Sequence, residues 1–165
     1  MSVPVSFSGV ESGEFNAVYY ARRNGILSKV VAQKAGPEDP KNPKYKIEKI
    51  EKDGETVETA VPHISVVAYS QSGNQVRIYY IGYSDKGNRL QLRELCQTNG
   101  GPWFEGALDK KKHYIAKESR ISAVVAEKQK NLNVFYLDED DTLNVAWVTL
   151  GQEAWSNREV YDGKF

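Results

Sequence analysis

The chain has 165 residues and a mass of 18.6 kDa, enough for one domain or a few small repeats. Its 22 basic and 22 acidic side chains cancel, which excludes the cationic footprint of a general nucleic-acid binder or a polybasic membrane-surface protein. A hydrophobic content of 40% excludes wholesale disorder, and a single cysteine, Cys96, excludes an internal disulfide framework.

The N-terminal run MSVPVSFSGVESGEF has neither a basic start nor an apolar stretch, so no signal peptide is expected and the predicted location is cytoplasmic, with unconventional secretion as the alternative. No apolar run approaches the roughly 18–20 residues of a membrane span, so no membrane insertion is expected. Ten Tyr, many Val and 13 Gly read as all-β.

Three segments share one grammar of strand, polar turn, strand with paired aromatics, turn and further strand: residues 3–33, 63–97 and 120–150. The aromatic pairs Tyr19-Tyr20, Tyr79-Tyr80 and Phe135-Tyr136 recur at spacings of 60 and 56 residues. Each pair follows an apolar strand residue, Val5, Ile64 or Ile121, by 14, 15 and 14 residues. The second unit divides into strands near 63–69, 75–83, 89–96 and 103–116, joined by QSGN, SDKG and TNGG, the chemistry of hairpin turns with positive φ. In the first unit the fourth strand falls at 45–50 or 56–61, after the proline-rich loop AGPEDPKNPK. The one segment that competes as a helix is 46–58, with a charged face and two Ile.

Four-stranded units at this period predict β-propeller blades: blade 1 over about 1–62, blade 2 over 63–119 and blade 3 over 120–165, in one domain. Three blades do not close a ring, since propellers use about four or more. The expected remedy is a homodimer joined into a six-bladed ring, blade 3 of one copy packing on blade 1 of the other.

The chemistry concentrates in the second unit, on Arg77, Glu94 and Trp103. A hairpin centred on Asp85-Lys86 predicts Arg77 directly opposite Glu94 on one face of adjacent strands. A guanidinium donates, a carboxylate accepts and an indole gives a flat apolar wall, which together suit one sugar ring. Taken alone, such an ion pair is most often a surface salt bridge of under about 1 kcal/mol. Tyr79, Trp147 and Trp155 are secondary candidates, although paired tyrosines and the last two tryptophans more often fill space between blades. Asp138-Glu139-Asp140-Asp141 lacks the alternation and central Gly of a calcium loop and reads as a solvated hairpin tip. His63 and His113 have no partner at metal-ligand spacing, and Cys96 has no visible His to make it a nucleophile. No metal, cofactor or catalytic residue is therefore expected. The Arg22-Arg23 pair and the Lys110-Lys111-Lys112 run read as solvated turns.

The run ISVVAYSQSGNQVRIYY…LQLRELCQTNGGPWFEGAL resembles one blade of the fungal fucose-specific lectins, six-bladed propellers of the orange peel mushroom lectin type. Ile64, Arg77-Ile78-Tyr79-Tyr80, Glu94, Trp103 and Gly106 occupy the places of that blade pattern. The resemblance implies that Arg77 and Glu94 hydrogen-bond fucose hydroxyls, that Trp103 meets the methyl face, and that the partners are fucosylated glycans. The other units depart from it: Ala17 and Asn133 stand at the Arg position, Lys29 near the Glu position of unit 1, and Trp147 at the Glu position of unit 3. The expected function is a non-enzymatic carbohydrate-binding lectin with one complete site per chain. The alternatives are a propeller that has lost sugar binding and serves in interaction or storage, and a glycoside hydrolase relying on Glu94 and Glu105.

Overall fold

A computed structural model describes residues 3–12, 15–32, 45–126, 128 and 130–161. The proline-rich loop at 35–44 lies outside them. Three antiparallel four-stranded sheets follow one another along the chain. Blade 1 is the meander β1 (Pro4–Ser12), β2 (Phe15–Arg22), β3 (Leu27–Ala32) and β4 (Tyr45–Lys49). A short hairpin, β5 (Glu51–Lys52) and β6 (Glu55–Thr56), comes next. Blade 2 is β7 (Val61–Ser70), β8 (Asn74–Tyr83), β9 (Leu90–Thr98) and the two-residue β10 (Phe104–Glu105). Blade 3 is β11 (Ser122–Ala126), β12 (Asn131–Leu137), β13 (Leu143–Thr149) and β14 (Ser156–Tyr161).

Two sequence expectations change. Residues 46–58 form β4 and a hairpin rather than a helix, because Asp53-Gly54 takes positive φ at both positions (53° and 83°), the backbone of a tight two-residue turn. The strand expected over 103–116 stops at Glu105; a 3-10 turn over Ala107–Lys111 follows, and Tyr114 rejoins β9 opposite Gln91.

Strand alternation gives each blade two apolar faces, and blade 2 buries both of its own against its neighbours, which builds two cores instead of one. Ala17, Tyr19 and Ala21 of β2 meet Ile64, Val66, Ile78 and Trp103 between blades 1 and 2. Tyr79 and Ile81 of β8 meet Leu132, Val134, Tyr136 and Trp155 between blades 2 and 3. Each fully buried aliphatic side chain in these seams contributes roughly 1.5–3 kcal/mol. Serines on the innermost strands stitch the blades together. Ile64 N and Val66 N donate to Ser6 Oγ (3.2 Å) and Ser8 Oγ (3.1 Å), and Ala123 N donates to Ser65 Oγ (2.9 Å). All three bonds join residues 58 apart, so the repeat seen in the sequence is also the repeat of the stacking.

The outer faces of the stack are apolar and uncovered. On blade 1, Phe7 is 63% and Ile47 60% exposed, with Val5 and Val18 beside them; on blade 3, Val124 and Val160 are exposed. Blade 3's outer face also holds a cavity of about 260 Å³ lined by Asn133, Phe135, Val145, Trp147 and Arg158.

Candidate functional site

The seam between blades 2 and 3 contains a cavity of about 360 Å³ that brings together Arg77, Glu94, Cys96 and Phe104 of blade 2 with Trp155, Leu132 and Val148 of blade 3. On blade 2, Gln75, Arg77, Tyr79 and Ile81 of β8 face this seam, while Val76, Ile78 and Tyr80 between them face blade 1.

The register differs from expectation. Arg77 pairs with Cys96, and Glu94 pairs with Tyr79. The hairpin centre falls at Lys86-Gly87, one residue later than predicted, because Gly87 supplies the positive φ of 69°. Moving the centre by one residue moves each partner by two, so Arg77 and Glu94 become diagonal neighbours on the same face. The same correction applies to blade 3. Asn133 pairs with Trp147 and Phe135 with Val145, so Val145 stands at the Glu94 position and Trp147 at that of Cys96.

Glu94 is 4% exposed. Its Oε1 accepts from the Tyr79 hydroxyl (3.1 Å) and its Oε2 from the Leu108 N–H (3.2 Å). Burial pushes its carboxyl above the usual range; the Leu108 amide, the Arg77 charge and hydrogen bonds from Tyr79 and Trp155 oppose that shift. Gly106 permits the arrangement, since any Cβ there would overlap the Glu94 carboxylate. Arg77 donates through Nε to the Tyr69 hydroxyl (3.2 Å) and through Nη2 to Gln75 Oε1 (3.2 Å), and its guanidinium lies 5.9 Å from the centre of the Phe104 ring. Gln75 Oε1 also accepts from the Thr98 hydroxyl (2.9 Å), so a polar network fixes the guanidinium from behind. Cys96, 1% exposed, forms part of the floor, and burial raises its thiol to about 12, which makes it inert.

Trp103 does not stand in this pocket. It packs edge-on against Tyr19 (centroids 6.1 Å apart) between blades 1 and 2, while Trp155 packs edge-on against Tyr79 (6.2 Å) between blades 2 and 3. The two contacts are the same contact one repeat apart. Trp103 of blade 2 and Trp155 of blade 3 each close the seam with the blade before, so the indole belonging with Arg77 and Glu94 is Trp155. The spacing within one repeat could not reveal this, because the pocket is shared between two repeats. Tyr79 lies beneath Glu94, and Trp147 lies on the outer face of blade 3.

The equivalent place between blades 1 and 2 has different chemistry. Ala17 stands where Arg77 stands, and Lys29, opposite Tyr19, stands where Glu94 stands. Lys29 pairs with Glu48 at 3.1 Å, filling the position with a closed ion pair. The acidic run is a hairpin tip, as expected: Asp138 Oδ1 accepts from the Asp140 and Thr142 amides, and Glu139 pairs with Arg89. Among the described residues no three His, Cys, Asp or Glu side chains group as metal ligands.

Stacked four-stranded blades define the class, a β-propeller. The chain belongs to the fungal fucose-specific lectin family, whose profile matches residues 17–161. That membership bears out a lectin rather than an enzyme. Among solved structures, the chain is similar to AofleA from Arthrobotrys oligospora, at 21% identity and a TM-score of 0.66, covering 93% of this chain and 40% of that one. It is also similar to the Aleuria aurantia lectin, described as a six-bladed β-propeller with a novel fucose recognition mode (14% identity, TM-score 0.65, 96% and 50% covered). A fucose lectin from Kordia zhangzhouensis, solved with methyl-fucoside, matches at 16% identity and a TM-score of 0.58, covering 94% of this chain and 98% of that one. The chain thus spans 40% to 50% of the length of AofleA and the Aleuria aurantia lectin. A search of curated proteins finds no match.

Proposed function

We propose that this protein binds fucose or fucosylated glycans in the seam between blades 2 and 3, and that two copies join into a six-bladed ring. The observation that carries the reading is the convergence of Arg77, Glu94 and Trp155 on one cavity. A deoxy sugar presents hydroxyls on one side and a methyl group with C–H faces on the other. Arg77 supplies donors, Glu94 acceptors, and Trp155 with Leu132 an apolar wall against the methyl. Ala17 and Lys29 in one blade, and Asn133 and Val145 in the other, remove both charges needed for the same recognition. The reading therefore gives one sugar per chain and two per ring. Binding at single sugar sites is weak, and two linked sites on one particle gain by avidity.

The ring is supported by the two uncovered apolar faces, which continue the stacking direction at either end, and by coverage of half of a six-bladed chain. A glycan array competed with free fucose tests the ligand: bound fucosylated glycans released by fucose support it, and an array with none bound rejects it. Light scattering tests the ring. Twice the 18.6 kDa chain mass is expected, and a stable monomer rejects it.

A further inference from the structure

The outer edge of β9 is covered in two stages, with a gap between them. Phe104 and Glu105 of β10 pair with Cys96 and Leu95, and further along Leu92 N donates to His113 O while Ile115 N donates to Leu90 O. Between these stretches the chain leaves the sheet through the Ala107–Lys111 turn, so the Glu94 amide has no strand carbonyl to bond. A side chain takes that place. Asp109 Oδ1 accepts from Glu94 N at 2.6 Å, and Asp109 Oδ2 accepts from Arg93 Nε at 2.7 Å. The same short segment donates Gly106 N to Glu94 O (2.8 Å) and Leu108 N to Glu94 Oε2 (3.2 Å). Gln91 Nε2 holds the Asp109 carbonyl at 2.9 Å.

We propose that Asp109 is the positioning residue for Glu94: its carboxylate clamps the turn to β9, and its protonation loosens the placement of the Glu94 carboxylate and weakens the pocket. The inference rests on the sugar-binding reading for its effect on ligand, but the link between Asp109 and Glu94 does not depend on it. The groups facing Asp109 are Tyr80 of β8, Arg93, Glu94 and Cys96 of β9, Glu105 of β10, and the adjacent Lys110 of its own turn. Arg93 has further acceptors in Tyr83 O, Asp85 and Glu105, so it stays bound to blade 2 when Asp109 lets go. Burial raises the Asp109 carboxyl to about 6, against the opposing bonds from Glu94 N and Arg93. On protonation, an O–H on Oδ2 would point at the Arg93 N–H, donor against donor, and the clamp opens.

The test is a pH titration of the free protein by NMR, following the Asp109 side-chain carboxyl carbon and the Glu94 backbone amide. A shared midpoint near pH 6 in the wild type, with the Glu94 step lost in Asp109→Asn, is expected. Different midpoints in the wild type, or a Glu94 step that survives in Asp109→Asn, would overturn the proposal by assigning the change to Glu94 itself. Methyl α-fucoside affinity should fall about tenfold from pH 7 to pH 5 in the wild type. In Asp109→Asn it should be lower than wild type at pH 7 and nearly flat with pH; wild-type affinity and pH dependence in that variant would also overturn the proposal. A shared NMR step with no fucoside bound at any pH would support the clamp and reject the sugar reading.

Discussion

The Tyr79 hydroxyl donates to the Glu94 carboxylate at 3.1 Å from the residue directly across the β8–β9 ladder, beneath the cavity between blades 2 and 3. Tyr79 is fully buried, so this bond is made away from water and helps to hold Glu94 in the lining of that cavity. Tyr79→Phe leaves the ring packed and removes only the donor. The expected loss is about 1–2 kcal/mol of stability, with the Glu94 carboxyl shifted further upward. Urea unfolding measures the first and carboxyl NMR the second; unchanged values in both would show that the bond is idle.

The tryptophans should separate cleanly. Trp155→Ala removes the pocket wall and should abolish measurable fucoside binding. Trp103→Phe, in the other seam, should cost stability and leave affinity within about twofold of wild type. Full truncation at either position costs about 3–5 kcal/mol, so Trp155→Phe is the gentler companion. Calorimetric titration of the folded variants decides it, and equal losses of affinity at both positions would contradict the assignment of Trp155.

The blades were legible because stacking repeats impose their period on the sequence: Tyr19, Tyr79 and Phe135 hold one place in three sheets. The faces were legible too, since the expected and the observed register differ by two residues in each partner and so keep Arg77 and Glu94 on one side. The register itself depends on which residue of the Ser84–Arg89 loop takes positive φ, and Gly87 is only one of several turn formers there. Trp103 was misplaced because a tryptophan's repeat of origin differs from the seam it closes. Asp109 carried no signal, since its role arises from a gap in the β9 edge that exists only once residues 106–112 leave the sheet.

Cys96 is buried under Arg77 with its thiol raised to about 12, so the native protein should resist alkylation. Iodoacetamide at pH 8 followed by mass spectrometry should show labelling only after denaturant is added. Rapid labelling of native protein would mean that the pocket floor opens.

The pH dependence carried by Asp109 has a definite sign. Its carboxyl is raised to about 6 when folded against about 3.9 when unfolded, so the folded state holds the extra proton between those values. This group's stabilisation is complete below about pH 4 and is lost as pH rises through 6. Glu94 is shifted the same way, whereas the exposed Glu139 is lowered by Arg89 and acts oppositely, with a small effect in solvent. His63 and His113, lowered by burial, also act oppositely and lose stability as pH falls below about 6.5. Asp109 is therefore read by difference: the urea midpoint of the wild type relative to Asp109→Asn should rise from pH 7 to pH 5, although ligand binding weakens over the same interval. A relative midpoint that falls over that interval would contradict the placement of Asp109.

The most direct measurement is a calorimetric titration of the whole protein with methyl α-fucoside, beside Arg77→Ala. One site per chain is expected, with affinity reduced at least about tenfold in Arg77→Ala while its circular dichroism and unfolding midpoint stay near wild type. No heat with the folded wild type, or an Arg77→Ala titration that overlays it, would contradict the account.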